Sequence, residues 1–243
     1  MVCMRTISFP MLALALLLLV GGATALWYEG LEVNVVAHTG ELDVEFYGQP
    51  IFLDACGLPP GPGFHGGWDW VAYPPGFEEH QTGVDAVYDG HPVEGKDVGC
   101  TNVTLLDTDH DGDDDTMQVT LENVYPYYYT KIDFEIHNNG DIPVKIWRLV
   151  VRLSNGTEYK FYEINADTIE NEGAYLDLDG DNKPDIVMWW GDNFGVQLEH
   201  CQRADISLNL IVLQTASENT TYTFQLQLDA VQWNEYTPGP IGD

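Results

Sequence analysis

The stretch MQVTLENVYPYYYTKIDFEI, residues 117–136, decides the fold class of this chain. Apolar residues occupy every second position at 117–121 and again at 132–136, with polar residues between them. Side chains of a β-strand point alternately to opposite faces, so this period of two predicts two half-buried strands, each with one wet face. A tyrosine-rich turn containing Pro126 separates them.

The same alternation recurs along most of the chain, whereas a helical period is nearly absent. Turn-forming residues separate the alternating segments, and Asn155-Gly156 is a strong hairpin signal. Further strands are predicted at 42–47, 144–153, 159–164, 186–190, 206–213 and 222–230. With the N-terminal segment, about nine strands predict an all-β fold, a β-sandwich of the jelly-roll or immunoglobulin-like kind.

The N-terminal residues 1–25 have the pattern of a secretory signal peptide. Arg5 precedes an apolar run at 11–20, and the segment ends in Ala-Thr-Ala, a typical cleavage motif. We therefore predict a secreted, extracellular protein. The apolar run is too short to span a membrane, and no later segment reaches the roughly 20 apolar residues that a span needs.

The predicted mature chain consists of an N-terminal strand at 26–37 and a sandwich domain at 38–243. Residues 57–99 interrupt the alternation with many Gly, Pro and aromatic residues. A segment of this length without regular structure is usually functional or disordered. Its aromatic residues, including Trp68 and Trp70, favour an ordered insertion packed on the domain or on a neighbouring subunit.

The chain is strongly acidic, with 39 Asp and Glu against 9 Lys and Arg and a formal charge of −30. Removal of residues 1–25 deletes Arg5 and no acid, which changes the charge from −30 to −31. Binding to nucleic acid or to anionic lipid depends on Lys and Arg contacts to phosphate. The composition therefore argues against both partner classes.

Two segments are rich in aspartate: DTDHDGDDD at 107–115, named here the first aspartate loop, and DLDGDNKPD at 177–185, the second aspartate loop. Two carboxylates about 4 Å apart repel by roughly 4 kcal/mol at an effective dielectric near 20, so several converge comfortably only around a cation. All-oxygen ligand sets favour hard cations, with calcium (Ca²⁺) the first choice. The alternative is a polar surface turn. The predicted calcium ligands are Asp107, Asp109, Asp111, Asp113, Asp115, Asp177, Asp179, Asp181 and Asp185.

Both loops have aspartates at positions 1, 3, 5 and 9, which matches the first part of an EF-hand calcium loop. Position 6 is Gly112 in the first loop and Asn182 in the second. Position 12 carries a bidentate Glu in an EF-hand. In the first loop it is Gln118, which already belongs to a strand pattern. We therefore predict calcium loops between strands rather than helix-loop-helix sensors.

Three cysteines remain in the predicted mature chain. In an oxidising setting Cys56 with Cys100 is the favoured pair, because it would tie off the insertion between them, although sequence alone does not fix connectivity. Cys201 would then be buried and free, or paired between subunits. Acceptor sequons for glycosylation begin at Asn102, Asn155 and Asn219.

No catalytic set stands out, and we predict that the protein is not an enzyme. Three histidines lie among acids in the insertion, but no two have metal-ligand spacing. A carboxylate pair for glycoside hydrolysis is made by folding rather than by spacing, so the sequence leaves one open. The residues concerned are His65, His80 and His91 for the histidines, and Asp69, Glu78 and Glu79 for the carboxylates.

The stretch TLENVYPYYYTKIDFEIHNNGDIPVKIWRLVV, residues 120–151, resembles the camelysin and TasA family of secreted fibre proteins. The shared pattern is a strand, a Tyr-Pro turn, another strand, then Asn-x-Gly-Asp and a further strand. LWYEGLEVNVVAHTGELDVEF at 26–46 and TYTFQLQLDAVQWNE at 221–235 are similar to the family's mature N-terminus and closing strand. The acidic loops, insertion and aromatic content look most like archaeal subunits of extracellular filaments, particularly the hollow tubules called cannulae.

The resemblance implies a homopolymer in which a strand of one subunit completes the sandwich of the next. Residues 26–37 are the expected donor strand, because 12 extended residues span about 40 Å at roughly 3.3 Å each. Calcium would then offset the repulsion between acidic subunits. Alternatively, this strand pairs within its own chain. The residues expected to enter the neighbour's groove share one parity and are Trp27, Leu31, Val33 and Val35.

Two other interpretations stay open. One is a secreted carbohydrate-binding module or glycosidase, in which tryptophans form a sugar platform and calcium only stabilises loops. The other is a monomeric cell-surface protein adapted to salt or heat. The tryptophans of the proposed platform are Trp68, Trp70, Trp189 and Trp190.

Overall fold

The computed structural model describes residues 40–57, 68–72, 90–165, 173–190, 193–217 and 220–240. The predicted signal peptide and donor strand lie outside these residues. Outside them as well are Trp27, Leu31, Val33, Val35, His65, Glu78, Glu79, His80 and Asn219.

The described residues form thirteen β-strands and a single 3-10 turn at Glu163–Asn165. The strands are β1 (Val44–Phe52), β2 (Trp70–Val71), β3 (His91–Pro92), β4 (Cys100–Leu106), β5 (Thr116–Glu122), β6 (Tyr129–Asn138), β7 (Val144–Leu153), β8 (Glu158–Tyr162), β9 (Ala174–Leu176), β10 (Ile186–Trp190), β11 (Gln197–Leu198), β12 (Arg203–Val212) and β13 (Tyr222–Gln232).

Two antiparallel sheets form a β-sandwich, which confirms the predicted all-β class. The five-stranded sheet has the order β1-β6-β12-β10-β9, and the six-stranded sheet the order β11-β7-β13-β5-β4 with β8 beside β7. Strands β2 and β3 form a separate two-stranded ribbon. Among the described residues no helix is both long and apolar enough to cross a membrane.

The main core contains the apolar faces of the long strands. In β5 the side chains of Met117, Val119 and Leu121 are fully buried, whereas the residues between them are partly exposed. On β13, Phe224 pairs with Val119 and Leu226 with Met117. Each such buried side chain stabilises the fold by roughly 1.5–3 kcal/mol. The period of two in the sequence therefore places these strands with one face in the core.

Strand β10 is buried on both faces, because a second apolar cluster covers the outside of the five-stranded sheet. Ile186, Met188 and Trp190 belong to the main core, whereas Val187 and Trp189 belong to this outer cluster. The segment at 68–72 packs on the same cluster through Trp70 and Ala72. The described part of the insertion therefore packs on its own domain.

Two turns have different roles in the fold. Asn155-Gly156 closes the β7–β8 hairpin, where Gly156 has a φ of 87°. The turn after Asn138 instead carries the chain from the five-stranded sheet to the six-stranded sheet. The buried Asn138 amide donates to the carbonyl oxygens of Ile142 at 2.9 Å and Leu198 at 3.0 Å, and so fixes this crossing.

Candidate metal centres

Each aspartate loop closes a β-hairpin. The first connects β4, which ends at Leu106, to β5, which begins at Thr116, and these two residues pair. The second connects β9 and β10. The last residue of each loop continues the ladder: the backbone N–H of Asp115 donates to Leu106 at 3.1 Å, and that of Asp185 donates to Leu176 at 2.8 Å. Strand pairing therefore holds the two ends of each nine-residue loop together.

The two loops share the same six backbone-to-carboxylate hydrogen bonds. The carboxylate at position 1 accepts hydrogen bonds from the backbone N–H groups of positions 4 and 6. The carboxylates at positions 3 and 5 each accept from the N–H group two residues further along the chain. The carboxylate at position 9 accepts from the N–H groups of positions 2 and 3. In the first loop the donor–acceptor pairs are His110–Asp107 (2.6 Å), Gly112–Asp107 (3.2 Å), Asp111–Asp109 (3.3 Å), Asp113–Asp111 (3.0 Å), Thr108–Asp115 (3.0 Å) and Asp109–Asp115 (3.2 Å). In the second they are Gly180–Asp177 (2.7 Å), Asn182–Asp177 (2.7 Å), Asp181–Asp179 (3.1 Å), Lys183–Asp181 (2.8 Å), Leu178–Asp185 (2.7 Å) and Asp179–Asp185 (3.2 Å).

Positions 4 and 6 have left-handed backbone conformations in both loops. In the first loop they are His110 (φ 68°) and Gly112 (φ 110°), and in the second Gly180 (φ 84°) and Asn182 (φ 67°). Glycine adopts this region without a steric penalty, and Asn and His tolerate it better than most residues. The exchange of Gly for Asn at position 6 therefore leaves the loop conformation unchanged.

Three of the predicted ligands converge in each loop. One carboxylate oxygen each from Asp107, Asp109 and Asp115 lies within 4.8 Å of the others, and positions 1, 3 and 9 of the second loop converge in the same way. Calcium–oxygen distances are about 2.3–2.6 Å, so small side-chain adjustments would bring all three oxygens onto one ion. The three converging residues of the second loop are Asp177, Asp179 and Asp185.

The remaining predicted ligands do not belong to these groups. Asp111 and Asp181, at position 5, are absent from both groups of converging oxygens. Asp181 instead forms an ion pair with Lys183 at 2.8 Å. Asp113 accepts a hydrogen bond from the Asn139 amide at 3.2 Å. The structure thus supports a core of three carboxylates in each loop.

The two position-9 carboxylates have different surroundings. Burial alone would raise the pKa of Asp115, but hydrogen bonds from Thr108, Thr116 and backbone N–H groups outweigh it, so the pKa is lowered. Burial raises the pKa of Asp185, and its three donors do not fully offset this effect. These donors are the N–H groups of Leu178 and Asp179 and the hydroxyl of Tyr222. The negative charge of Asp185 is therefore the less stable of the two.

Several supporting groups were not identified from the sequence. Thr108 donates from its hydroxyl to Asp115 at 2.6 Å, and Ser217 donates to Asp179 at 2.9 Å. Tyr222 reaches Asp185 from β13. The hydroxyl of Thr108, at position 2 of the first loop, could have been identified from the sequence because it lies within the loop. The contacts of Ser217 and Tyr222 with the second loop depend on sheet packing.

The structure contains a disulfide between Cys56 and Cys100, the pair favoured from the sequence. Cys201 is free and exposed, so the prediction that it could be buried is wrong. It lies in the turn before β12, where no apolar layer covers it.

The two sequon asparagines that the structure describes are exposed. They are Asn102 on the edge strand β4 and Asn155 in the hairpin turn.

The structure describes some of the residues of the alternative interpretations, and Trp68 and Trp70 among them are half-buried. Trp189 and Trp190 are 1% and 2% exposed, so they cannot form a surface platform for sugars. Asp69 is fully buried. His91 is exposed on the short strand β3.

Comparisons of the chain with protein-family models, with curated proteins and with solved structures found no match.

Proposed function

We propose that this protein is a secreted structural subunit that polymerises into an extracellular filament or tubule, with calcium bound in its two aspartate loops. The observation that carries the calcium part is the repeated loop geometry: two hairpins of different sequence hold the same three carboxylates together with the same six hydrogen bonds. Carboxylates in such proximity repel one another, and a hard cation removes that repulsion.

The first aspartate loop also contacts the edge of the five-stranded sheet. The backbone carbonyl of Asp114 accepts a hydrogen bond from the N–H of Phe46, on edge strand β1, at 2.8 Å. The Asn139 amide bridges the carboxylates of Asp43 at 3.3 Å and Asp113 at 3.2 Å. An ion in this loop would stiffen the contact between the two sheets along β1.

The second aspartate loop lies beside the other edge of the same sheet. Strand β9 has three residues, and its last residue, Leu176, directly precedes Asp177. Among the described strands none pairs with the outer side of β9. Tyr175, at its centre, is 51% exposed. We propose this edge as the acceptor for residues 26–37 of a neighbouring copy, because unpaired edge strands add further strands through backbone hydrogen bonds.

The charge of the chain gives calcium a role in assembly. Copies of the predicted mature chain, with a formal charge of −31, repel one another when they stack. An ion in the second aspartate loop would lower this repulsion beside the proposed acceptor edge. The ion would also fix the position of β9, the strand that leads into the loop. Assembly is therefore expected to need calcium and to weaken when the ion is removed.

Negative-stain electron microscopy of the purified mature protein tests the proposal. With millimolar calcium we expect filaments or tubules, and with a chelator monomers. A variant lacking 26–37 should bind calcium in both loops and remain monomeric. Tyr175→Lys should reduce polymer yield at unchanged thermal stability, because the charge is placed at the acceptor edge. Trp233→Lys, at another exposed aromatic position directly after β13, is the matched control.

Two results would contradict parts of this proposal. Polymers that form equally well without 26–37 would exclude strand donation by that segment. Polymer yield that is unaffected by a chelator would exclude a role of calcium in assembly while leaving calcium binding itself to be measured separately.

A further inference from the structure

A third group of aspartates converges in the part of the sandwich that carries the disulfide. Asp54 follows β1, Asp69 precedes β2 and Asp97 precedes β4. One carboxylate oxygen from each lies within 4.8 Å of the other two. We call these three residues the third aspartate cluster. Its members are far apart in the sequence, so no spacing motif identifies it.

Backbone hydrogen bonds hold the three segments of the cluster together. The N–H of Thr101 donates to the carbonyl of Asp54, and the N–H of Asp69 donates to the carbonyl of Lys96, both at 2.8 Å. The disulfide Cys56–Cys100 joins the segment after Asp54 to the start of β4. The carboxylates are thus presented by a framework that covalent and backbone bonds fix.

The two inner carboxylates are buried and only partly satisfied. Asp54 is 2% exposed and Asp69 is 0% exposed. The Oδ1 atom of Asp69 accepts the N–H groups of Val98 at 2.9 Å and Gly99 at 3.1 Å. The Oδ2 atoms of Asp54 and Asp69 are buried and have no hydrogen-bond partner of good geometry among the described residues. The hydroxyl groups of Tyr128 and Tyr125 lie near Asp54 and Asp69 and interact with these carboxylates. A buried carboxylate oxygen in this state strongly destabilises a fold unless a cation or proton occupies it.

Among the residues that the structure describes, no side-chain cation forms an ion pair with the cluster. Lys96 is adjacent to Asp97 in the chain, but its ammonium group lies 3.1 Å from the centre of the Tyr125 ring. Asp97 is exposed, so an ion can enter from solvent on its side.

We propose that Asp54, Asp69 and Asp97 form a third calcium site. Three oxygens within 4.8 Å of one another need only small side-chain adjustments to contact one ion at about 2.4 Å, and Ca²⁺ prefers carboxylate oxygens over nitrogen or sulfur ligands. Asp54 and Asp69 supply the buried side of the site, and Asp97 closes it towards solvent. The ion would connect the insertion, which carries Asp69, to the end of β1 and to the segment before β4. It would act beside the disulfide as a second crosslink.

Calcium counting by equilibrium dialysis tests the site in the full-length mature chain. We expect about three ions in the wild type and about two in Asp97→Asn. The change at Asp97 is on the surface, so folding is retained. Asp205→Asn, an exposed aspartate of β12 outside all three groups, is the matched control and should bind as the wild type does. Asp54→Asn should abolish the third site as Asp97→Asn does.

A second variant isolates the third cluster from the two loops. Its four loop substitutions are Asp107→Asn, Asp109→Asn, Asp177→Asn and Asp179→Asn. We expect this variant to retain about one calcium ion. It should also give Tb³⁺ luminescence on tyrosine excitation, because Tyr125 and Tyr128 lie beside the cluster. Loss of a group that only orients a metal ligand typically weakens metal binding at least about tenfold. Because Asp97 is proposed as a direct ligand, adding Asp97→Asn should weaken Tb³⁺ binding by at least that factor.

The outcomes separate this site from the loops. Equal calcium counts in the wild type and Asp97→Asn overturn the third site, and so does a loop-deficient variant that folds and binds no calcium. Occupation by Mg²⁺ but not by Ca²⁺ would overturn the assignment to calcium. A wild type that binds only one ion, which Asp97→Asn loses, would support this site and contradict calcium binding in the loops.

Discussion

The hydroxyl of Tyr222 donates a 3.1 Å hydrogen bond to Oδ1 of Asp185, and both residues are buried. Tyr222 begins β13 of the six-stranded sheet, whereas Asp185 ends the second aspartate loop beside the five-stranded sheet. Burial, together with the charge of Asp185, raises the pKa of Tyr222 to about 12, so the hydroxyl remains a donor at neutral pH. One carboxylate is therefore linked to a candidate metal centre and to the packing of both sheets.

Replacing Tyr222 by Phe should weaken the second loop. The variant removes one of three donors to a buried carboxylate, which we expect to lower the free energy of unfolding by about 1–3 kcal/mol in chelator. Calcium affinity of that loop should fall about tenfold, because a group that orients a ligand is lost. Urea unfolding and calcium titration measure the two effects. Tyr175→Phe, exposed on β9, is the control, and equal behaviour of the two variants would contradict the prediction.

The two loops should respond alike to the same substitution. In Asp109→Asn and in Asp179→Asn the remaining Oδ1 oxygen can still accept the N–H two residues on, so the loop conformation is kept. In Asp109→Asn only the charge at position 3 is lost, whereas Asp179→Asn also loses the oxygen that accepts from the Ser217 hydroxyl. Each variant should bind about one calcium ion fewer than the wild type and show a smaller rise in Tm on addition of calcium. Undiminished binding in both variants would show that these carboxylates are not ligands.

The stability of the calcium-free protein should depend on Asp54. Burial raises the pKa of this carboxyl from 3.8 to about 7, and the neighbouring charges of Asp69 and Asp97 add to the shift. Because the folded state binds this proton more tightly than the unfolded state, the contribution of Asp54 to stability is fully present below about pH 4 and is lost as the pH rises to about 7. At roughly 1.4 kcal/mol per unit, the contribution lost is up to about 4 kcal/mol.

Melting curves in chelator between about pH 4 and pH 8.5 check this pH dependence. Asp54→Asn should have a flatter profile than the wild type and a higher Tm at pH 8.5, because the buried charge is absent. In saturating calcium the order should reverse. Parallel profiles of the two proteins in chelator would contradict the assignment to Asp54.

Loss of the disulfide should destabilise the domain strongly. Cys56 and Cys100 are separated by 44 residues, and for a loop of that length the chain-entropy model gives about 4 kcal/mol. We therefore expect the double variant Cys56→Ala/Cys100→Ala to have a free energy of unfolding lower by about 4 kcal/mol and to unfold at a lower urea concentration. It should also lose the ion bound at Asp54, Asp69 and Asp97. Cys201→Ser should change little, because Cys201 is exposed and free. Unfolding midpoints of the three proteins give the comparison.

Some strands were missed in the sequence, and the reason is their position in the sheets. Strand β4 lies at an edge, where its burial pattern lacks the clear alternation of β5. Strand β9 has only three residues, which is too short for a period to be visible. Strand β1 extends past the predicted residue 47 to Phe52 through a bulge between Tyr47 and Ile51. Edge position and irregular pairing are tertiary properties, so local pattern does not reveal them.

The sequence by itself determined the β-class and the two aspartate loops. Both depend on residues close in the chain: alternation follows from strand geometry, and the odd spacing of Asp107, Asp109 and Asp115 brings carboxylates into one turn. The third aspartate cluster was decided only by the tertiary structure. Asp54 and Asp69 acquire their burial and their proximity when β1, the insertion and β4 come together around the disulfide. Desolvation of a charge depends on all the atoms packed around it, and no spacing of residues encodes that environment.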